Sequence, residues 1–149
     1  MSCLLNNVPK VRGELLSNAD IGSASWFRVG GPAELLYVPA DELDLLNFLT
    51  NLSPEIPVFV IGASSNILIR DGGIKGVVIK LGASFKGIKL LNNQLLVGAF
   101  THNMMLAKYA NNNNLLGYDF LSGIPGTIGG SIKMNAGCYG KEMSDILIK

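Results

Sequence analysis

Two glycine-rich segments hold most of the chemistry legible in this chain. In VFVIGASSNILI an apolar run ends in Gly62, Ala63, Ser64, Ser65 and Asn66, and a second apolar run begins at Ile67. Small residues in such a turn let backbone N–H groups approach a phosphate closely, and Ser64, Ser65 and Asn66 add short side-chain donors. The segment has neither the G-x-G-x-x-G spacing of a dinucleotide fingerprint nor the Gly-Lys-Ser/Thr of a Walker loop. Taken alone, it is better read as an ordinary tight turn with solvent-facing serines.

The second segment, LSGIPGTIGGSIKMNAG, shifts that balance. Pro125 suits the first turn of a helix, and Gly123, Gly126 and Thr127 leave an uncovered N-terminus whose free N–H groups and dipole favour an anion. Gly129 and Gly130 then fall inside the helix, where each costs up to ~1 kcal/mol relative to alanine. Glycines there point to close packing, either of a flat ring against the backbone or of helix against strand. Asn135 offers a donor and an acceptor to a ligand edge, and a structural Asx turn explains it equally well.

Other reactive side chains are less informative. His102 is the only histidine; with no carboxylate or cysteine at catalytic spacing it reads as a surface or capping residue. Cys3 and Cys138 form no C-x-x-C pair and lack the partners of a zinc site, so free, inert thiols and no metal are expected. Met104, Met105 and Met134 read as core filler. Arg28 could reach a phosphate, but a solvated or ion-paired arginine fits its position better.

The elements that must carry these segments follow from pattern and turn chemistry. Leu4, Leu5, Val8, Val11, Leu15 and Leu16 give a loose helical periodicity broken at Pro9 and Gly13, so one or two short helices are expected there. Gly30, Gly31 and Pro32 force a turn before a strand over residues 34–38. Asp41 offers an N-cap to a helix over residues 42–51, with Asp44 at the capping-box position. Residues 58–61 are continuously apolar and read as a strand buried on both faces. Strands over residues 67–69 and 76–81 follow, then a hairpin of residues 88–91 and 94–97 turning at Asn92 and Asn93. Thr101 is expected to cap a helix running to Asn111. This order argues for a mixed α+β arrangement.

Composition narrows the class. With 149 residues, 48% of them hydrophobic and 15% charged, the chain can bury a core. Its net charge of +1 without a Lys/Arg cluster excludes the electrostatic footprint of a nucleic-acid binder. No apolar run approaches the roughly 18 residues of a membrane span, and the N-terminus carries no secretory pattern, so a cytoplasmic protein is expected.

Three blocks, SWFRVGGPAELLYVPA, VIGASSNILIRDGGIKGVVIKL and FLSGIPGTIGGSIKMNAGCYGKE, follow one another in this order. Together, over about residues 20–145, they resemble the UDP-N-acetylenolpyruvoylglucosamine reductases of bacterial peptidoglycan synthesis. The IPGTIGG and MNAGCYG blocks are specific in combination. VIGASSN alone indicates only the wider group of FAD proteins with the vanillyl-alcohol-oxidase fold. The resemblance implies an α+β, two-subdomain FAD-binding fold of that type: an N-terminal helical segment over residues 1–21, one FAD-binding subdomain over 22–82, and an incomplete second subdomain over 83–149. The substrate-binding domain would be absent from this chain.

The resemblance further implies FAD held at Gly62, Ala63, Ser64, Ser65, Asn66 and Ile67, and at Gly123, Ile124, Pro125, Gly126 and Thr127 with Gly129, Gly130, Asn135 and Gly137. NADPH would supply hydride, and the acceptor would be the enolpyruvyl group of a nucleotide sugar, giving UDP-N-acetylmuramate. The implied protein is a monomer. In one place the chain departs from the family, which usually has glycine where Ser64 stands. If that backbone needs positive φ, the serine costs on the order of 1 kcal/mol. The family's chains are much longer, and its catalytic arginine, proton-donating serine or cysteine and late glutamate match positions beyond Lys149. No catalytic residue is therefore assigned within this sequence, and a fragment is expected. Two other readings stay open: a different FAD oxidoreductase of the same fold acting on an alcohol or hydroxy acid, and a non-catalytic anion-binding domain.

Overall fold

Leucine, valine and isoleucine runs in the first part of the chain build a four-stranded mixed sheet. The computed structural model describes residues 3–148, and the chain divides into two units, Met1–Ser84 and Phe85–Lys149. In the first unit, strands β1 (Glu14–Ala19), β2 (Ala33–Val38), β3 (Val58–Ile61) and β4 (Ile74–Lys80) lie in the order β1-β2-β4-β3. β1 runs antiparallel to β2, while β2 and β3 both run parallel to β4.

The two central strands are buried on both faces, and their side chains sort by parity. Leu35, Tyr37, Val77 and Ile79 pack on one face with Phe48 of helix α1 (Glu42–Asn51). Leu36 and Val78 pack on the other, with Ile21, Ala33, Ile61 and Ile69. Ala33 joins Leu36 rather than Leu35 because the ladder shifts register between Ala33 and Leu35, and such an extra residue changes which face the following side chains take.

Helix α1 starts where the sequence places it. Asp41 is extended and its carboxylate accepts the Asp44 N–H at 2.9 Å, while its other contact is an ion pair with Arg12. Asp44 does not close a capping box on the Asp41 N–H. It reaches instead to the N–H groups of Arg12, Gly13 and Ala40, at 2.8, 2.9 and 3.0 Å, and so fastens the lead-in to β1 onto the helix. Burial opposes the Asp44 charge, but these donors outweigh it and hold the carboxyl down at about 2. Burial and the same carboxylate push the Tyr37 phenol up.

Three expectations for this unit fail. The N-terminal stretch is not a helical segment: Cys3–Asn7 forms a single 3-10 turn, and Glu14–Ala19 is β1. Leu15 packs toward the core while Leu16 is exposed, an alternation of two that the interrupted helical pattern disguised. β3 is not buried on both faces. It is an edge strand paired only with β4; Val60 is 68% exposed and Ile61 6%. Residues 67–69 form no ladder, although Ile69 enters the core and Ile67 packs against it.

The second unit begins with the expected hairpin, β5 (Ile88–Leu91) and β6 (Gln94–Val97), and both turn residues take positive φ, Asn92 at 46° and Asn93 at 67°. Helix α2 (Asn103–Asn112) starts one residue later than Thr101 would allow as a cap, with His102 as N-cap. The Thr101 hydroxyl is engaged with the Gly87 backbone instead. A 3-10 turn (Asp119–Gly123), helix α3 (Ile128–Met134) and a two-residue hairpin of β7 (Gly137–Cys138) and β8 (Lys141–Glu142) complete the unit. Leu106, Phe120, Leu121, Ile124, Ile128 and Met143 form its core.

Candidate functional site

The first glycine-rich segment lies in the first unit, directly after the carboxyl end of parallel strand β3. In open α/β sheets such strand ends are where ligands collect. Ser64 sits at φ 55° and is only 7% exposed, and its carbonyl accepts the Trp26 N–H at 3.1 Å. A left-handed residue among small neighbours turns successive N–H groups to one side, which is how anion nests are built. Gly62, Ala63 and Ser65 are half-buried and Asn66 is exposed, so this turn is reachable from solvent. Ile67 is half-buried against the core of the unit.

Trp26 belongs to the same loop as Arg28. Ser25 is buried, and its hydroxyl has no hydrogen-bond partner among the described residues. Arg28, three residues on, is exposed with φ 55°. A separate cavity of about 540 Å³ in this unit runs along Phe59, Ile67, Leu68 and Ile69 and contains none of the small residues of the turn.

The second segment lies in the second unit, and the structure divides it. Gly123, Ile124, Pro125 and Gly126 line a pocket of about 300 Å³ together with Ser122, His102 and Met104. Gly126 has φ 106°, a conformation closed to most side chains. Gly129, Asn135 and Gly137 do not line that pocket. Gly129 is pressed against Ala99, where a Cβ would come within 3.1 Å of both the Ala99 Cβ and its carbonyl oxygen. Asn135 ends α3 in the left-handed region, and its Oδ1 accepts the Ser144 N–H at 2.9 Å. Gly137 lies in β7, where a Cβ would be 2.7 Å from the Lys141 carbonyl oxygen. Helix-against-backbone packing thus accounts for Gly129, and a structural turn for Asn135. Gly130 differs, because a Cβ there would meet nothing nearer than Thr127 Oγ1 at 3.5 Å.

The expected anion site at a bare helix N-terminus is corrected. Helix α3 begins after Thr127, so Pro125 precedes it rather than occupying its first turn. Its first N–H groups are also taken: Ile128 donates to the Thr101 carbonyl and Gly129 to the Ala99 carbonyl, both at 2.9 Å. What the segment presents is a loop, residues 122–126, and not a helix dipole. Thr127 is buried behind it.

A residue the sequence reading missed holds this loop. Asn103, the first residue of α2, is fully buried and bonds to Ile124, Gly126 and Ser131. An asparagine beside a helix start reads as a cap, so its position in the sequence gave no sign of this role. Among the described residues no group of three His, Cys, Asp or Glu could hold a metal, and no helix is long and apolar enough to cross a membrane.

Residues 33–149 match the family model described as the FAD binding domain. The chain belongs to that family. It is 47% identical over 142 residues to the UDP-N-acetylenolpyruvoylglucosamine reductase of Rickettsia akari (strain Hartford), a match that covers 95% of this chain and 48% of that protein. It is 48% identical to the enzyme of the same name from Caulobacter sp. (strain K31), over 95% of this chain and 46% of that one. The crystal structure of the Thermus caldophilus UDP-N-acetylenolpyruvylglucosamine reductase superposes with a TM-score of 0.73 at 33% identity, covering 91% of this chain and 47% of that chain. The motif resemblance and the α+β FAD-binding fold are therefore both borne out. The chain spans about half the length of these relatives.

The residues present suit a flavin dinucleotide. The turn at Ser64 offers half-buried small residues beside an exposed Asn66 that could meet a pyrophosphate, and at Gly130 no side chain stands in the way of a flat group.

Proposed function

We propose that this chain binds FAD, with the pyrophosphate on the turn of Gly62, Ala63, Ser64, Ser65 and Asn66 and on the loop of Gly123, Ile124, Pro125 and Gly126. It would do so as the FAD-binding part of an NADPH-dependent reductase that converts UDP-N-acetylenolpyruvoylglucosamine to UDP-N-acetylmuramate. The observation that carries the reading is Ser64, a buried non-glycine residue held at φ 55° in a turn of small residues at a parallel strand end. Backbone strain of this kind concentrates at ligand clamps. Membership of the FAD binding domain family supports it independently.

Bound FAD would supply hydride transfer, taking hydride from NADPH and passing it to the substrate. The chain's own part is narrower. Backbone N–H groups of the turn, with that of Gly126 in the loop, offset phosphate charge, Ser65 and Asn66 add side-chain donors, and Gly130 leaves room for close approach. A cytoplasmic monomer that takes a nucleotide sugar, with no nucleic acid and no membrane insertion, completes the proposal.

Titrating FAD with the purified chain and following quenching of flavin fluorescence tests the reading. Saturable quenching that excess ADP partly reverses is expected. Flavin fluorescence that stays unchanged at tens of micromolar protein would remove it.

A further inference from the structure

We infer that Asn103 is the positioning residue of the Ile124–Pro125–Gly126 loop and thereby of the cofactor that loop would hold; the second half of this inference rests on the FAD reading above. Asn103 is 0% exposed and stands at the first position of α2, so its backbone N–H is not used within its own helix. That N–H donates to the Gly126 carbonyl at 3.1 Å. The two hydrogens of Nδ2 serve the Ile124 carbonyl at 3.1 Å and the Ser131 hydroxyl at 2.8 Å. All three donors of one residue are thus committed to the loop and to the helix that follows it.

The acceptor side of the same amide is left over. Asn103 Oδ1 is buried with no hydrogen-bond partner among the described residues. A buried amide with an idle acceptor is a poor core residue, and an apolar side chain of the same shape would serve the core better. What an apolar residue could not do is keep the Ile124 carbonyl turned inward. Ile124 and Gly126 flank Pro125, and with Gly126 at φ 106° the path of these three residues is unusual. Their two carbonyls point at Asn103, which directs the remaining backbone surface of the loop outward, toward the pocket lined by Ser122, Gly123, Pro125 and Gly126.

The test compares Asn103→Leu, Asn103→Asp and Ser131→Ala in the whole chain, reading FAD affinity, the visible absorption band of bound flavin, melting temperature and backbone hydrogen exchange over residues 122–130. Asn103→Leu and Asn103→Asp keep the size of the side chain and lose the bond to the Ile124 carbonyl. They should weaken FAD binding by roughly tenfold or more, shift the bound-flavin band and speed exchange in the loop. Ser131→Ala removes only the helix end of the fork and should leave FAD affinity within about threefold of wild type. Should Asn103→Leu fold poorly, Asn103→Asp carries the same comparison. Wild-type affinity and loop exchange in the Asn103 variants would overturn the inference, as would equal losses in Ser131→Ala. If wild type itself binds no FAD, the cofactor reading falls, and loop exchange alone then decides whether Asn103 positions the loop.

Discussion

The two units present their glycine-rich segments in different ways. In the first, the segment is a turn suspended from a strand end, with a backbone bond from Trp26 to Ser64 and a left-handed serine inside it. In the second, the segment is a loop gripped from below by a buried side chain, with its helix N–H groups already satisfied by Ala99 and Thr101 carbonyls. One is shaped by local conformation and the other by a distant residue. A turn whose shape is local should tolerate changes in its surroundings and respond to its own φ requirements; a loop whose shape is borrowed should respond to its holder.

The largest effect expected is the absence of turnover. Neither segment contains a histidine, cysteine or carboxylate to act as general acid, and general acid help and electrostatic stabilisation commonly contribute ~10² or more each in rate. Mixing the chemically reduced, FAD-loaded chain with the enolpyruvyl substrate under nitrogen should therefore show no flavin reoxidation in stopped flow. Rapid reoxidation would place catalytic groups inside these two units.

Next is the anchor of the first unit. Asp44→Ala leaves three inward N–H groups without their acceptor and should cost about 3 kcal/mol in stability, read by chemical denaturation. The acid limb of wild-type stability has the same origin. Asp44 titrates at about 2 when folded, below its ordinary carboxylate value, so its contribution is complete above about pH 4 and is lost as pH falls toward 2. Melting curves over that range should flatten in Asp44→Asn.

Smaller effects separate the two segments themselves. Gly126→Val forces a branched side chain into φ 106° and should weaken FAD binding by roughly a hundredfold. Ser65→Ala and Asn66→Ala should each cost about 1.5–3 kcal/mol of FAD binding if their side chains donate to the phosphates, and unchanged titrations would take them out of the site. The smallest change has the opposite sign. Ser64→Gly relieves a left-handed serine and should raise stability by ~0.5 kcal/mol without lowering FAD affinity.

How much the sequence disclosed follows the same division between local and borrowed structure. α1 with its Asp41 cap, the β5–β6 hairpin with its paired asparagines, and the positive φ implied for a family glycine at position 64 all depend on nearest neighbours, and all are found. The edge position of β3 depends on β4 entering the sheet beside β2, which no pattern within VFVI could reveal. The start of α3 was misplaced because carbonyls of residues 99 and 101 extend a bridge to it from a different part of the chain. Asn103 was invisible because burial decides its role, and its sequence neighbours suggested a cap.

The strand order has a consequence for synthesis. β3 leaves the ribosome before β4, yet β4 must end up between β2 and β3. At roughly 5–20 residues per second, the interval between them is on the order of a second, much longer than a hairpin needs to form. Throughout it the apolar run of β3 has no lasting partner, and any early pairing of β3 with β2 would have to be undone. The first unit therefore closes by insertion of its last strand, and mutations that weaken β4 should show first as lost yield from the translating cell.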